Sequence, residues 1–348
     1  MNHHVVMLPG DGVGPEVALA ARRVIEAVAL SFGQAFTFEE QAIGGAAIDS
    51  VGDPLPPATV EACLAADAVF LGAVGGPKWD GGPRRPEEGL LGIRRALGLF
   101  ANLRPVRVDA AIADRSPLKR EIVEGADLLI VRELTGGLYF GEKTRSADAA
   151  SDLCVYTVRE VERIARVAFA AARRRRGKVA SIDKANVLET SRLWRETVTR
   201  VGASEFPDVA LEHGLVDSAA MRLVLAPKSY DVILTENLFG DILSDEASVL
   251  TGSIGLLGSA SLGDGRPGLF EPIHGSAPGI AGKDLANPIG AINACAMMLR
   301  DGLNLDGEAR AVEAAIARFL RAGEFTADMG GSLSGSAAAD RIVGAVAG

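Results

Sequence analysis

The sequence predicts an α/β protein whose largely parallel sheet is covered by helices on both faces. Short apolar runs rich in β-branched or aliphatic residues recur along the chain, longer stretches with helical spacing separate them, and glycines cluster between the two. Alternating strands and helices build a parallel sheet, and its strands, buried on both faces, read as near-continuous apolar runs.

The runs are Val5 to Leu8, Ala68 to Val74, Leu128 to Val131, Val179 to Ile182 and Val232 to Leu234. After the first of them Pro15 stands at a first helical position, and Val17, Ala20, Ala21, Val24, Ile25 and Val28 follow at the spacing of one buried helix face. The polar stretch from Gly141 to Tyr156 has no helical period and is long for a connection, which predicts a protruding arm or partner-binding loop. No repeat, low-complexity segment or Gly/Ser- or Pro-rich linker divides the chain, so its domains are expected to be interleaved or tightly packed.

A chain of 348 residues, 48% of them hydrophobic, has length for about two domains and ample material for their cores. Its formal net charge of -9 repels phosphate polymers and anionic lipid, which argues against nucleic-acid and membrane partners. The basic run Arg173 to Arg176 precedes Gly177 at the end of an alanine-rich stretch, where cations complement the exposed carbonyls of a helix C-terminus. Cys63, Cys154 and Cys295 form no CxxC and read as small core residues in a reducing compartment. With no cationic and apolar leader and no apolar stretch near the ~20 residues of a membrane span, a cytoplasmic location is expected.

Gly10-Asp11-Gly12-Val13-Gly14 resembles a Rossmann fingerprint, but its glycines alternate where GxGxxG needs the third one residue later. Such a turn before a helix N-terminus can still bind an anion. The sharper signal is Thr235-Glu236-Asn237-Leu238-Phe239-Gly240-Asp241-Ile242-Leu243-Ser244-Asp245, which follows a strand and opens a helix. Asp241 and Asp245 at i and i+4 share one helix face; they read either as two solvated acids or as a site for Mg2+ or Mn2+, the ions that all-oxygen donors favour. Leu238, Phe239, Ile242 and Leu243 predict that the helix is buried, and Asp217, read at the end of another strand, is a candidate third acid.

Arg94 and Arg95, Arg104, and Arg132, which directly follows an apolar strand, are each a candidate carboxylate fork or an ordinary salt-bridge residue. Tyr139 and Lys184 lie beyond strands, where α/β sheets build their sites; each reads as structural or, beside metal-spaced acids, as half of an acid and base pair.

At these residues the chain resembles the isocitrate/isopropylmalate dehydrogenase family, and within it the 3-isopropylmalate dehydrogenases. The shared segments run nearly end to end: LPGDGVGPEV, GAVGGPKWD, LFANLRPV, IVRELTGGLYFGE, DKANVLETSRLWRE, TENLFGDILSDEASVLTGSIGLL and EPIHGSAPGIAG. The resemblance implies a three-layer fold distinct from Rossmann, with a cofactor domain of residues 1–99 plus 252–348 and a substrate, metal and dimerisation domain of residues 100–251. It implies NAD-dependent, Mg2+- or Mn2+-dependent oxidation and decarboxylation of (2R,3S)-3-isopropylmalate to 4-methyl-2-oxopentanoate and CO2, a step of leucine biosynthesis. It also implies a homodimer with shared sites, in which the partner supplies Lys184 and Asp217.

In that scheme Arg94, Arg104 and Arg132 hold the malate carboxylates, and Asp241, Asp245 and the Asp217 of the other chain hold the cation beside the substrate. Lys184 takes the hydroxyl proton and Tyr139 protonates carbon. Leu90 and Leu91, after Glu87 and Glu88, enclose the isopropyl group; plain helix core is the rival reading of either. The cofactor lies along Gly76, Pro77, Lys78 and Glu87 at its nicotinamide end and along His274, Gly275, Ser276, Ala277, Pro278, Gly279, Ile280 and Asn287 at its adenosine end, with Glu271 nearby. Two departures stand out: Gly279 replaces the acid common in NAD-using relatives, and the arm from Lys143 to Asp152 diverges. Homoisocitrate or tartrate as substrate and a catalytically dead binding subunit are the rival readings.

Overall fold

All five apolar runs, but for Val74, lie in strands of the computed structural model, which describes residues 2–265 and 267–347. In chain order the strands are β1 (Asn2–Gly10), β2 (Ala35–Glu40), β3 (Ala68–Ala73), β4 (Ala101–Arg107), β5 (Asp127–Glu133), β6 (Lys143–Arg145), β7 (Ala150–Asp152), β8 (Lys178–Asp183), β9 (Ala210–Leu215), β10 (Val232–Thr235), β11 (Gly258–Leu262) and β12 (Gly268–Pro272). The chain divides into two compact units, one of Met1–Leu99 with Ser253–Gly348 and the other of Phe100–Gly252.

In the first unit the strand order is β2-β1-β3-β12-β11, parallel except for the β11–β12 pair. Successive strand side chains point to opposite faces, so Val6, Leu8, Val69 and Leu71 share a side and meet Ile43, Cys63, Ile93 and Leu99 in one cluster. Their neighbours Val5 and Phe70 are equally buried, so both faces are covered. The helix Gly14–Phe32 starts with Pro15, buries all six residues of its predicted apolar face, and ends at Gly33, whose left-handed φ of 67° closes it.

In the second unit the order is β4-β5-β10-β8-β9, with β4 antiparallel and the rest parallel. The central β10 is fully buried. The helix Val158–Arg173 is opened by Thr157, whose hydroxyl accepts the Glu160 N–H while the Glu160 carboxylate accepts the Thr157 N–H. It ends where the arginine run begins. Arg175 donates from Nε to Asp231, and the backbone N–H groups of Arg176 and Lys178 also donate to that carboxylate, which is 2% exposed. Removing one partner of a buried, hydrogen-bonded pair strands the other, so Asp231→Ala is expected to destabilise the chain by about 3 kcal/mol, read as a lower denaturant midpoint.

The arm is a separate two-stranded antiparallel hairpin of β6 and β7, exposed throughout and pinned by Lys143 on Asp152 at 3.0 Å. Its three-residue strands are too short and polar to show alternation in sequence. All three cysteines are free, Cys63 and Cys295 buried and Cys154 half-buried. No helix among the described residues is long and apolar enough to cross a membrane.

Candidate active site

The second unit gathers Arg104, Arg132, Tyr139, Asp241 and Asp245. β4 and β5 run antiparallel with Asn102 opposite Arg132 and Arg104 opposite Ile130, so both arginines stand on one face of the pair. The helix Asn237–Ser248 turns Asp241 and Asp245 towards them. It can approach because Gly240 has no side chain: a Cβ there would lie 2.6 Å from Arg132 Cγ and 2.4 Å from Thr235 Oγ1.

Arg132 is 3% exposed; its Nε and Nη2 donate to Asn237 Oδ1 at 3.1 and 2.8 Å, and its Nη1 donates to Asp241. Arg104 donates from Nε to Asn102 at 2.9 Å and from Nη1 to Ser244 and Asp245 at 2.7 and 3.1 Å. Tyr139 ends a short turn, Gly137–Tyr139, and donates its hydroxyl to Asp241 Oδ2 at 2.6 Å. Burial raises the Asp241 pKa, but the nearby Arg132 and the Tyr139 hydroxyl outweigh it and leave the carboxyl below its ordinary range. Burial first, then the bond to Asp241, pushes the Tyr139 phenol up to about 12, so it keeps its proton at neutral pH.

Around this group stand residues that sequence reasoning passed over. Asn102, Asn237 and Ser244 supply neutral acceptors to the two guanidiniums. Glu133, fully buried at the end of β5 and raised in pKa mainly by that burial, accepts the N–H groups of Thr135 and Gly136 and so shapes the turn that carries Tyr139. Tyr156 donates to Glu236 and accepts from the Asn237 N–H. The available signal was that a buried arginine after a strand needs acceptors close by.

Two expectations need correction. Asp217 does not close a strand; it lies in the first turn of the helix Val216–Leu225, where Lys184, directly after β8, donates to it and lowers its pKa. Within one chain no group of three or more His, Cys, Asp or Glu placed to hold a metal occurs among the described residues, and the expected set takes its Asp217 from the other chain. The Asp241 helix is also not buried all round. Leu243 is covered, but Leu238 and Phe239 are half-buried and Ile242 is 56% exposed.

In the first unit, the helix Pro86–Ala96 carries Glu87, Leu90, Leu91 and Arg94. Leu90 packs on the Ile43–Ile93 cluster, as the helix-core reading has it, and Leu91 is half-buried. Arg94 Nη2 donates to Glu271 Oε1 on β12 at 2.6 Å, while its buried Nε has no partner. Pro77 and Lys78 open a short turn after Gly76, and Lys78 Nζ bonds Asp49 at 2.6 Å. Glu87 Oε1 lies 2.9 Å from where a Cβ on Gly75 would stand.

His274 is held on the Gly275 carbonyl through Nδ1, its Nε2 is buried without a partner, and burial lowers its pKa. Gly275, Ala277, Pro278 and Gly279 are exposed, Ile280 is half-buried, Ser276 is buried, and Ala277 adopts a φ of 40°. Lys283 Nζ donates to the Gly279 carbonyl at 2.7 Å. Asn287 is 5% exposed, donates to Asp328 and accepts the Ile289 N–H. The Gly10–Gly14 turn holds a buried carboxylate, Asp11, that takes the N–H groups of Gly45, Ala46 and Gly75.

A family model described as isocitrate/isopropylmalate dehydrogenase matches residues 4–345. The chain belongs to that family. It is 59% identical over 346 residues to a 3-isopropylmalate dehydrogenase of Oleidesulfovibrio alaskensis, covering 96% of this chain and 97% of that one. A 3-isopropylmalate dehydrogenase of Anaeromyxobacter dehalogenans is 56% identical over 351 residues, with 99% of each covered. Among solved structures, an isocitrate dehydrogenase from Methylococcus capsulatus matches with a TM-score of 0.90 and 37% identity over 99% of this chain and 100% of that one. A β-decarboxylating dehydrogenase from Thermococcus kodakarensis matches with a TM-score of 0.82 and 39% identity, covering 99% and 96%. The isocitrate/isopropylmalate dehydrogenase fold therefore underlies both units, and the Rossmann alternative is excluded.

Proposed function

We propose that this chain oxidises (2R,3S)-3-isopropylmalate and releases CO2 to give 4-methyl-2-oxopentanoate, reducing NAD with the help of Mg2+ or Mn2+, as a step of leucine biosynthesis. The observation that carries the reading is the second unit's network, in which two guanidiniums, a protonated phenol and two carboxylates of one helix face converge. Relatives that share over half their residues with this chain bear the 3-isopropylmalate dehydrogenase name.

The residues fit both small-molecule groups. Asp241 and Asp245 offer only oxygen donors, Asp241 is held ionised, and these two carboxylates would hold a hard cation while the Arg104 and Arg132 that now bond them would hold a substrate carboxylate. For NAD, the first unit offers a buried polar atom still lacking a partner, His274 Nε2, beside Gly76, Pro77, Lys78, Glu87, Glu271, the 275–280 loop and Asn287. When bound, the two groups supply hydride acceptance and polarisation of the new ketone, the latter worth several kcal/mol.

Everything else falls to the chain. Arg94, Arg104 and Arg132 grip carboxylates through their forks. Lys184 takes the hydroxyl proton, and Tyr139, protonated at neutral pH, returns one to carbon after CO2 leaves. We place Lys184 and Asp217 in the partner's site of a homodimer. Met221, Leu225, Ile242 and Val249 leave apolar surface exposed at 60%, 71%, 56% and 49% on or beside the helices that carry Asp217 and Asp241, and a second copy would cover it. Three free cysteines suit the cytoplasm.

Substrate choice is assigned to Leu90 and Leu91, because burying an isopropyl group against leucine gains roughly 1.5 to 3 kcal/mol while an unpaired carboxylate there is rejected. The test is kcat/KM for 3-isopropylmalate, isocitrate, homoisocitrate and tartrate, each with NAD and NADP. Preference for 3-isopropylmalate is expected; preference for isocitrate, the substrate in the name of one structural neighbour, would overturn the assignment.

A further inference from the structure

We propose that Asp11 is a positioning residue for the dinucleotide, holding the start of one cofactor loop to the same turn that bonds the other loop through Val13. This rests on the reading above that Gly76–Glu87 and His274–Ile280 bind NAD. Asp11 is 5% exposed, and its carboxylate makes three hydrogen bonds, all to backbone of other segments: Gly45 and Gly75 donate to Oδ2 at 2.8 Å each, and Ala46 donates to Oδ1 at 2.7 Å. Two residues on, Val13 donates its N–H to the Ser276 carbonyl at 2.8 Å. Gly12, with φ 59°, permits that contact, since a Cβ on it would lie 2.0 Å from the same carbonyl oxygen.

The first loop is tied down at two points near its start. Asp11 holds Gly75 directly. Gly45 and Ala46 lie in the first turn of the helix Gly44–Val51, whose N–H groups have no partner within the helix, so Asp11 caps that helix from outside. The same helix carries Asp49, which accepts from Lys78 at 2.6 Å and from Trp79 Nε1 at 3.2 Å, and the Trp79 ring lies over Gly45. A buried carboxylate bonded only to backbone fixes where those backbones lie.

The test measures NAD affinity by calorimetry, the KM and kcat for NAD, and hydrogen exchange in Asp11→Asn and Asp49→Asn. Asparagine at position 11 keeps the shape but turns one acceptor into a donor facing an N–H. The Kd and KM for NAD are expected to rise about tenfold with kcat changed far less, and the Gly45, Ala46 and Gly75 amides to exchange faster. Asp49→Asn, on the surface, is expected to fold as the parent does and to raise the Kd about threefold, so it decides the matter if Asp11→Asn does not fold. An NAD Kd within twofold of the parent in both variants overturns the proposal, as does unchanged exchange at Gly75 in a folded Asp11→Asn. If the parent binds no NAD, the cofactor reading fails, and the exchange result alone judges the clamp.

Discussion

An Asp241→Asn variant is expected to lose about three orders of magnitude or more in kcat/KM for 3-isopropylmalate while remaining folded. Asp241 accepts from Arg132 and Tyr139 and lies 3.8 Å from Arg104, so one carboxylate is the counter-charge to Arg132, contributes to that of Arg104, and orients the phenol. An amide supplies no such charge. The remaining Asp245, 63% exposed and bonded to Arg104, is a poor grip for a divalent cation alone. Affinity for Mn2+, measured by calorimetry, should therefore fall together with turnover. Equal Mn2+ binding by parent and variant would remove Asp241 from the ligand set.

The same variant has a signature in pH. The Tyr139 phenol is raised by burial and by the bond to a negative Asp241, both of which disfavour phenolate. Removing the charge weakens the second cause, so the phenol should ionise at lower pH than the parent's value of about 12, visible as tyrosinate absorbance appearing earlier on alkaline titration. A shift upwards would contradict the direct bond.

Co-refolding Lys184→Ala chains with Asp241→Asn chains is expected to restore about a quarter of wild-type activity although neither variant works alone. Lys184 and Asp217 bond each other on one chain, apart from the metal-spaced pair, and apolar side chains near them are exposed. If that pair serves the neighbour, a mixed dimer contains one site with both residues intact and one with neither. Half of randomly assembled dimers are mixed, hence the quarter. Sites complete within one chain would yield no intact site in any combination, and no recovery.

Much of this was legible in the sequence because it depends on local period. The i, i+4 aspartates stand on one helix face, the apolar run before Arg132 is a strand that extends to take in Arg132 itself, and Pro15 opens the first helix where it should. What was not legible depends on pairing between distant segments. The antiparallel register that sets Asn102 opposite Arg132 is invisible in either strand alone, so the asparagines and Ser244 that complete the guanidinium bonds were passed over. Ile242 reads as buried because hydropathy does not distinguish a core position from an exposed apolar one. Asp11 was read as part of a loop open to an anion, since nothing local announces that three N–H groups will converge on it.

The proposed oxidation and decarboxylation require a divalent cation at Asp241 and Asp245. The most direct test of that requirement is the rate of NADH formation from 3-isopropylmalate by protein stripped with chelator, then titrated with Mg2+ or Mn2+. No turnover is expected after stripping, with full recovery on adding back either ion. Undiminished turnover by metal-free protein would contradict the requirement.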